Sequence, residues 1–177
     1  MLSIREEDRR YFMKYAVPCA QTLVDRCVIN KEKLDEMFDM MKNELEIPDN
    51  EEDKFKVAMA HCSLVAMRAG KKEIDKESMQ QYFFFEHDDT IDKRHEEMGD
   101  FDSEFCRTFP AIVKKINVPT ATVDVMGKER NVKADFVSDV IVGDKVVIHR
   151  DFITEKIDED LYKRLINHKE EYFSKQG

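Results

Sequence analysis

Apolar residues in the first hundred positions recur with a helical period. Tyr11, Tyr15, Cys19, Leu23 and Cys27 follow one another at every fourth residue, the stripe of one helix face. Pro18 falls inside that stripe, removes a backbone donor and predicts a kink or break there. Ser3 and Glu6 have the spacing of a capping box that would open this helix. Leu34, Met37, Phe38, Met41 and Leu45 alternate at three and four behind Asn30, a cap residue. Asn50 offers a cap for the next helix, whose apolar set is Phe55, Ala58, Met59, Cys62, Val65, Ala66 and Ala69, with Gly70 at its stop. Asp75 starts a further helix, with Ile74 and Met79 placed as a hydrophobic staple. It continues through Tyr82 and Phe83-Phe84-Phe85 and is expected to end near Gly99. Residues 1–100 therefore read as an all-α bundle of four or five helices.

The period then changes. Ala111, Val113, Thr122, Val123, Val125, Val132, Phe136 and Val137 lie in runs rich in β-branched residues, broken by Pro119 and by Met126-Gly127-Lys128. Val140 to Asp144 leads through Gly143 into the run from Lys145 to His149. Short strands at about ten-residue spacing, separated by glycine turns, predict a small β-barrel. Asp158 caps a last helix expected over 159–173, with Leu161, Leu165 and Ile166 on its inner face. The expected fold class is α+β, with a helical domain over 1–100 and a barrel plus C-terminal helix over 101–177.

Charge sharpens that division. The 177 residues carry a net charge of −9. Residues 1–105 hold 16 basic and 26 acidic side chains, a net of −10, and residues 106–177 hold 13 and 12, a net of +1. Phosphate contacts need clustered Lys and Arg, so the acid excess argues against a duplex nucleic-acid binder. No 18-residue apolar run predicts a membrane span, and no leader pattern predicts export. A cytoplasmic location is expected, with the four cysteines as reduced thiols. Neither GxGxxG nor GxxxxGK[ST] occurs.

Several side chains are candidates for chemistry. Asp88, Asp92 and His95 fall on one helix face, within a run that also holds Glu86, His87, Asp89 and Glu96. Asp92-x-x-His95 has the spacing of half a di-metal carboxylate site, but no second such helix is present, so a solvated acidic face explains it equally well. Cys62 beside His61, Cys19 beside Pro18, and the methionines Met37, Met40 and Met41 read as core packing.

The barrel module carries a more specific pattern. Cys106-Arg-Thr-Phe-Pro110-Ala-Ile-Val113 resembles the C-x-x-x-P-x-x-V opening of the HypC/HupF hydrogenase-maturation chaperones. Ala121-Thr-Val-Asp124 with Gly127, Arg130 and Val132 resembles that family's next stretch. The run Val137-Ser-Asp139-Val140-Ile-Val142-Gly143-Asp144-Lys-Val146-Val147-Ile148-His149 resembles its long segment ending in histidine. Phe152 and Glu155-Lys156-Ile157-Asp158-Glu159 resemble its close. The ordered set spans about 106–168.

The resemblance implies an OB-like barrel with a C-terminal helix, acting as an assembly chaperone and not as an enzyme. It implies two partners, a HypD-type scaffold protein and the precursor of a [NiFe] hydrogenase large subunit, with no nucleic acid and no membrane. No cofactor would be permanently bound; the cargo would be iron carrying cyanide and carbonyl ligands. The family cysteine and histidine map onto Cys106 and His149 as transient iron ligands, and Cys106, Pro110, His149 and Phe152 onto the partner-binding set. A thiolate is a soft ligand suited to such iron, and imidazole also suits it. Transfer calls for an exposed thiol, with Arg107 as the neighbouring cation that favours the thiolate.

The chain departs from the pattern in three places. Cys106 is internal, where the family cysteine usually follows the initiator methionine. Ala111 stands where the family has glycine. Asp151-Phe152-Ile153 replaces G-F-A and brings a carboxylate near His149, able to accept its second ring proton. Two other classes remain. One is an OB-like module for single-stranded nucleic acid, with Phe109, Phe136 and Phe152 as stacking platforms. The other is a thiol enzyme with Cys106 as nucleophile and His149 as base, although no oxyanion-hole glycine follows Cys106.

Overall fold

The computed structural model describes residues 1–98 and 103–175. They form two compact units, Met1–Phe83 and Phe84–Gly177. The division falls earlier than the 100/101 boundary expected from composition, within a π-helical segment, Tyr82–Glu86. The helix after it carries acidic side chains that pair with the strand module, so it belongs to the second unit.

The first unit holds α1 (Arg9–Ala16), α2 (Gln21–Asp25), α3 (Lys31–Lys42), α4 (Lys56–Arg68) and α5 (Lys76–Gln81). The break expected at Pro18 is a 3-10 turn, Val17–Cys19, between α1 and α2. Asn30 caps α3 by accepting from the Lys33 amide, and Asp75 caps α5 by accepting from the Ser78 amide. Gly70, at φ +72°, closes α4, with the Lys71 amide donating back to the Ala66 carbonyl at 2.9 Å.

Two expected caps do not form. Ser3 is extended, its carbonyl accepting from the Ile74 amide at 2.8 Å beside the isolated bridge Ile4–Ile74. Asn50 sits at φ +64° ahead of a 3-10 turn, Glu52–Lys54, so Phe55 occupies the α4 N-cap. Phe12, Tyr15, Met37, Met59, Cys62, Ile74 and Phe83 fill the core of this unit. Cys27, the last member of the predicted stripe, is exposed, because α2 ends before it and its φ is +56°.

The second unit holds α6 (His87–Met98), α7 (Ser103–Cys106), β1 (Thr108–Asn117), β2 (Thr120–Val125), β3 (Lys128–Lys133), β4 (Lys145–His149), β5 (Phe152–Ile157) and α8 (Glu159–Ser174). The strands close on themselves in the order β1-β2-β3-β5-β4. All neighbours are antiparallel except β3 and β5, which meet at the single pair Lys133–Phe152. Residue alternation explains the interior: Ala121, Val123 and Val125 of β2 point inward with Phe109, Ala111, Val146, Ile148 and Ile153.

Met126 and Gly127, at φ +51° and +86°, make the two-residue turn from β2 to β3, and Asp124 accepts the Gly127 amide at 2.7 Å. The segment from Val137 to Val142 is irregular rather than strand, with Ile141 and Val142 exposed. Asp158 caps α8 as expected, its carboxylate accepting from the Leu161 amide at 2.7 Å.

Candidate functional site

Cys106 ends α7, and two residues later the chain enters β1. β1 pairs with β4 from its first residue, Thr108 opposite His149. That register brings the end of β4 and the β4–β5 turn against Cys106. His149 Nε2 lies 3.0 Å from the Cys106 carbonyl oxygen. The carbonyl offers no proton, so Nε2 donates and carries the hydrogen. The next residue, Arg150, takes a left-handed conformation at φ +55° in the turn. Its Nη1 donates to Cys106 Sγ at 3.2 Å, and its guanidinium stacks over the Phe105 ring at 4.4 Å. Arg130 on β3 holds the turn by donating to the Arg150 carbonyl at 3.2 Å.

Cys106 and His149 are therefore neighbours, joined from ring to main-chain carbonyl. Other details differ from expectation. Cys106 is 7% exposed and not an open thiol, because α7 folds it under the turn. The positive charge at the sulfur comes from Arg150, not from Arg107, whose side chain turns away toward α6. Asp151 pairs with Lys133 at 3.2 Å, while the Cys106 carbonyl fixes the His149 ring. Pro110 is buried in β1 opposite Val147. Phe152 is buried and stacked on Phe136 at 4.7 Å. With Phe109 buried as well, none of these three rings is a platform for a base.

Beside this cluster lies a buried polar network that sequence reasoning missed. Lys169 of α8 is 1% exposed and donates to Asp88 of α6 at 2.5 Å. Arg107 donates to the Asp88 carbonyl and to the Asp92 carboxylate, which also accepts from the Tyr172 hydroxyl. The Arg107 guanidinium lies over the rings of Tyr172 and Phe173 at 5.5 and 5.6 Å. Burial pulls the Lys169 ammonium below its ordinary value, opposed by Asp88. Burial and the Asp92 hydrogen bond both push the Tyr172 phenol up. For Arg107, burial is overcome by the charges of Asp88 and Asp92, and its value rises.

Asp88 and Asp92 thus serve as counter-ions, and His95 is exposed. Among the described residues, no three His, Cys, Asp or Glu side chains are placed to hold a metal ion. The available signal was the spacing of Leu165, Lys169 and Phe173, which puts a lysine on the inner face of α8. A second ring also faces the site: His87 of α6 meets His149 edge to face, with centroids 5.3 Å apart.

Residues 105–168 match the model of the HupF/HypC family. This C-terminal module is similar to the HupF/HypC family. The family consists of hydrogenase-maturation chaperones, and the match covers roughly a third of the chain. No curated protein matches the chain significantly. The HypC-like match begins one residue before Cys106 and takes in all five strands and α8 as far as His168. α6 lies outside it and nevertheless supplies Asp88 and Asp92. Among the described residues, no helix is long and apolar enough to cross a membrane.

Proposed function

We propose that this protein is a metallocentre assembly chaperone for [NiFe] hydrogenase maturation. In this reading it works in the cytoplasm with a HypD-type scaffold. It takes up iron carrying cyanide and carbonyl ligands and hands that group to the large-subunit precursor. The observation that carries the reading is the seat of Cys106. The family-position sulfur lies at the entry to β1, its main chain tied by His149 and its sulfur bonded to Arg150. A sulfur held this way presents one soft ligand and leaves the iron's other positions to the scaffold or the precursor.

His149 serves as the positioning group for Cys106, its Nε2 donating to the Cys106 carbonyl. Pro110 and Phe152 support the partner surface from beneath, as buried residues. The closed five-stranded sheet with one terminal helix supports the OB-like assignment. The N-terminal helical region serves partner recognition, the net charge of −10 over residues 1–105 suiting a basic surface.

The test is co-purification of the tagged protein from its host with and without Cys106→Ser. The scaffold, the precursor and bound iron are expected with the native protein and lost with the variant. Unchanged association and unchanged hydrogenase maturation in the variant would overturn the reading.

A further inference from the structure

We infer that Arg150 is a specificity-determining residue of the Cys106 site, selecting groups that bring negative charge to the sulfur. The inference rests on the iron-carrier reading for its natural ligand, iron bearing anionic cyanide.

A guanidinium carries five N–H donors in a planar fork. Among the described residues, that of Arg150 makes one hydrogen bond, from Nη1 to Cys106 Sγ at 3.2 Å. Its face is occupied by Phe105 at 4.4 Å, which fixes the plane and leaves the edge donors beside the sulfur. The position is held from behind: Arg130 grips the Arg150 carbonyl at 3.2 Å, and the residue sits in a left-handed turn at φ +55°. The nearest acidic residue in sequence, Asp151, is engaged by Lys133 at 3.2 Å and does not neutralise the guanidinium. A group that binds Sγ therefore arrives beside a fixed cation with donors to spare, and anionic ligands on it gain charge-assisted hydrogen bonds that neutral ligands do not. Arg107, by contrast, is spent on Asp92.

The test compares two alkylating probes at Cys106 in the full-length protein: iodoacetate, which is anionic, and iodoacetamide, which is neutral. Each forms a sulfur–carbon bond and releases iodide, so the rate ratio cancels the reactivity of the sulfur and its access. Modification is followed at each cysteine by peptide mass spectrometry, with the exposed Cys27 as internal reference. The iodoacetate-to-iodoacetamide ratio at Cys106 is expected to exceed that at Cys27. It should fall about tenfold in Arg150→Met, the loss of one charge-assisted contact, and be largely retained in Arg150→Lys. An unchanged ratio in Arg150→Met overturns the inference. So does a wild-type Cys106 that resists both probes in the folded protein, because such a site admits no anion. The assay contains no scaffold and no hydrogenase, so its failure is distinct from failure of the chaperone reading.

Discussion

His149 clamps Cys106 through the main chain: ring Nε2 and carbonyl oxygen are 3.0 Å apart, and the imidazole is 1% exposed. Replacing His149 with Phe keeps a ring in the space and removes the donor. Losing a partner for a buried carbonyl costs about 1–3 kcal/mol. His149→Phe is therefore expected to lower the unfolding free energy of the barrel unit by that amount, seen as a lower urea midpoint at unchanged slope, and His149→Gln, which retains a donor, by less. Equal stability of His149→Phe and the native protein would show that the contact contributes nothing.

The ion pair between Lys169 and Asp88 is buried on both sides, at 1% and 3% side-chain exposure. Removing one partner strands a charge away from water, at about 3–5 kcal/mol, whereas replacing both with apolar residues is often near neutral. Asp88→Leu alone is thus expected to be severely destabilising. Asp88→Leu combined with Lys169→Met should recover most of the loss, because Arg107 keeps Asp92. A double-mutant cycle by chemical denaturation measures the coupling directly. Additive losses would contradict it.

That network also marks where the sequence stops being legible. Local signals read well: Asn30, Asp75 and Asp158 each cap the helix that their identity predicts, and Pro18 breaks the helix that it interrupts. The cysteine-to-histidine pairing was legible through the family pattern, whose order encodes the β1–β4 register. Long-range charge pairing was not. Nothing in the spacing of Asp88, Asp92 and His95 says whether the carboxylates meet water, a metal or Lys169 81 residues away. Adjacency in sequence likewise suggested Arg107 for the sulfur. The change from the end of α7 into β1 sends that side chain toward α6 instead, and a turn residue 44 positions from Cys106 reaches the sulfur.

Asp75 gives the helical unit an acid-sensitive joint. Burial favours its neutral form, but hydrogen bonds from Lys71 at 2.6 Å and from the Ser78 hydroxyl and amide at 2.7 and 3.0 Å overcome this, and its carboxyl falls from 3.8 to about 2. The folded value lies below the unfolded one. The contribution is therefore complete above about pH 4 and is lost as pH falls through about 2. Screening around the part-exposed Lys71 reduces it to about 1–2 kcal/mol. Asp75→Asn keeps a cap acceptor and is expected to lose that stability at neutral pH while flattening the acid limb of the stability profile. Parallel acid limbs for the two proteins, followed by circular dichroism, would rule this out.

Arg107 and Arg150 are expected to separate stability from site chemistry. Arg107 is 5% exposed, and its guanidinium bridges Asp88 and Asp92 while covering two rings. Arg107→Met therefore leaves two acidic groups short of a cation, and a loss of about 3 kcal/mol is expected, the lower end for a broken buried pair because Asp92 is 28% exposed. Arg150 is half-buried, and its side chain contacts Phe105 and the sulfur. Arg150→Met should cost less than about 1 kcal/mol, the scale of a partly exposed contact, yet abolish the preference of Cys106 for an anionic alkylating probe. Arg107→Met should leave that preference intact at temperatures where the variant stays folded. Measuring both variants for denaturant midpoint and probe ratio gives a crossed pattern if the assignment holds. Loss of the probe preference in a folded Arg107→Met protein would place the sulfur's cation at the sequence neighbour after all.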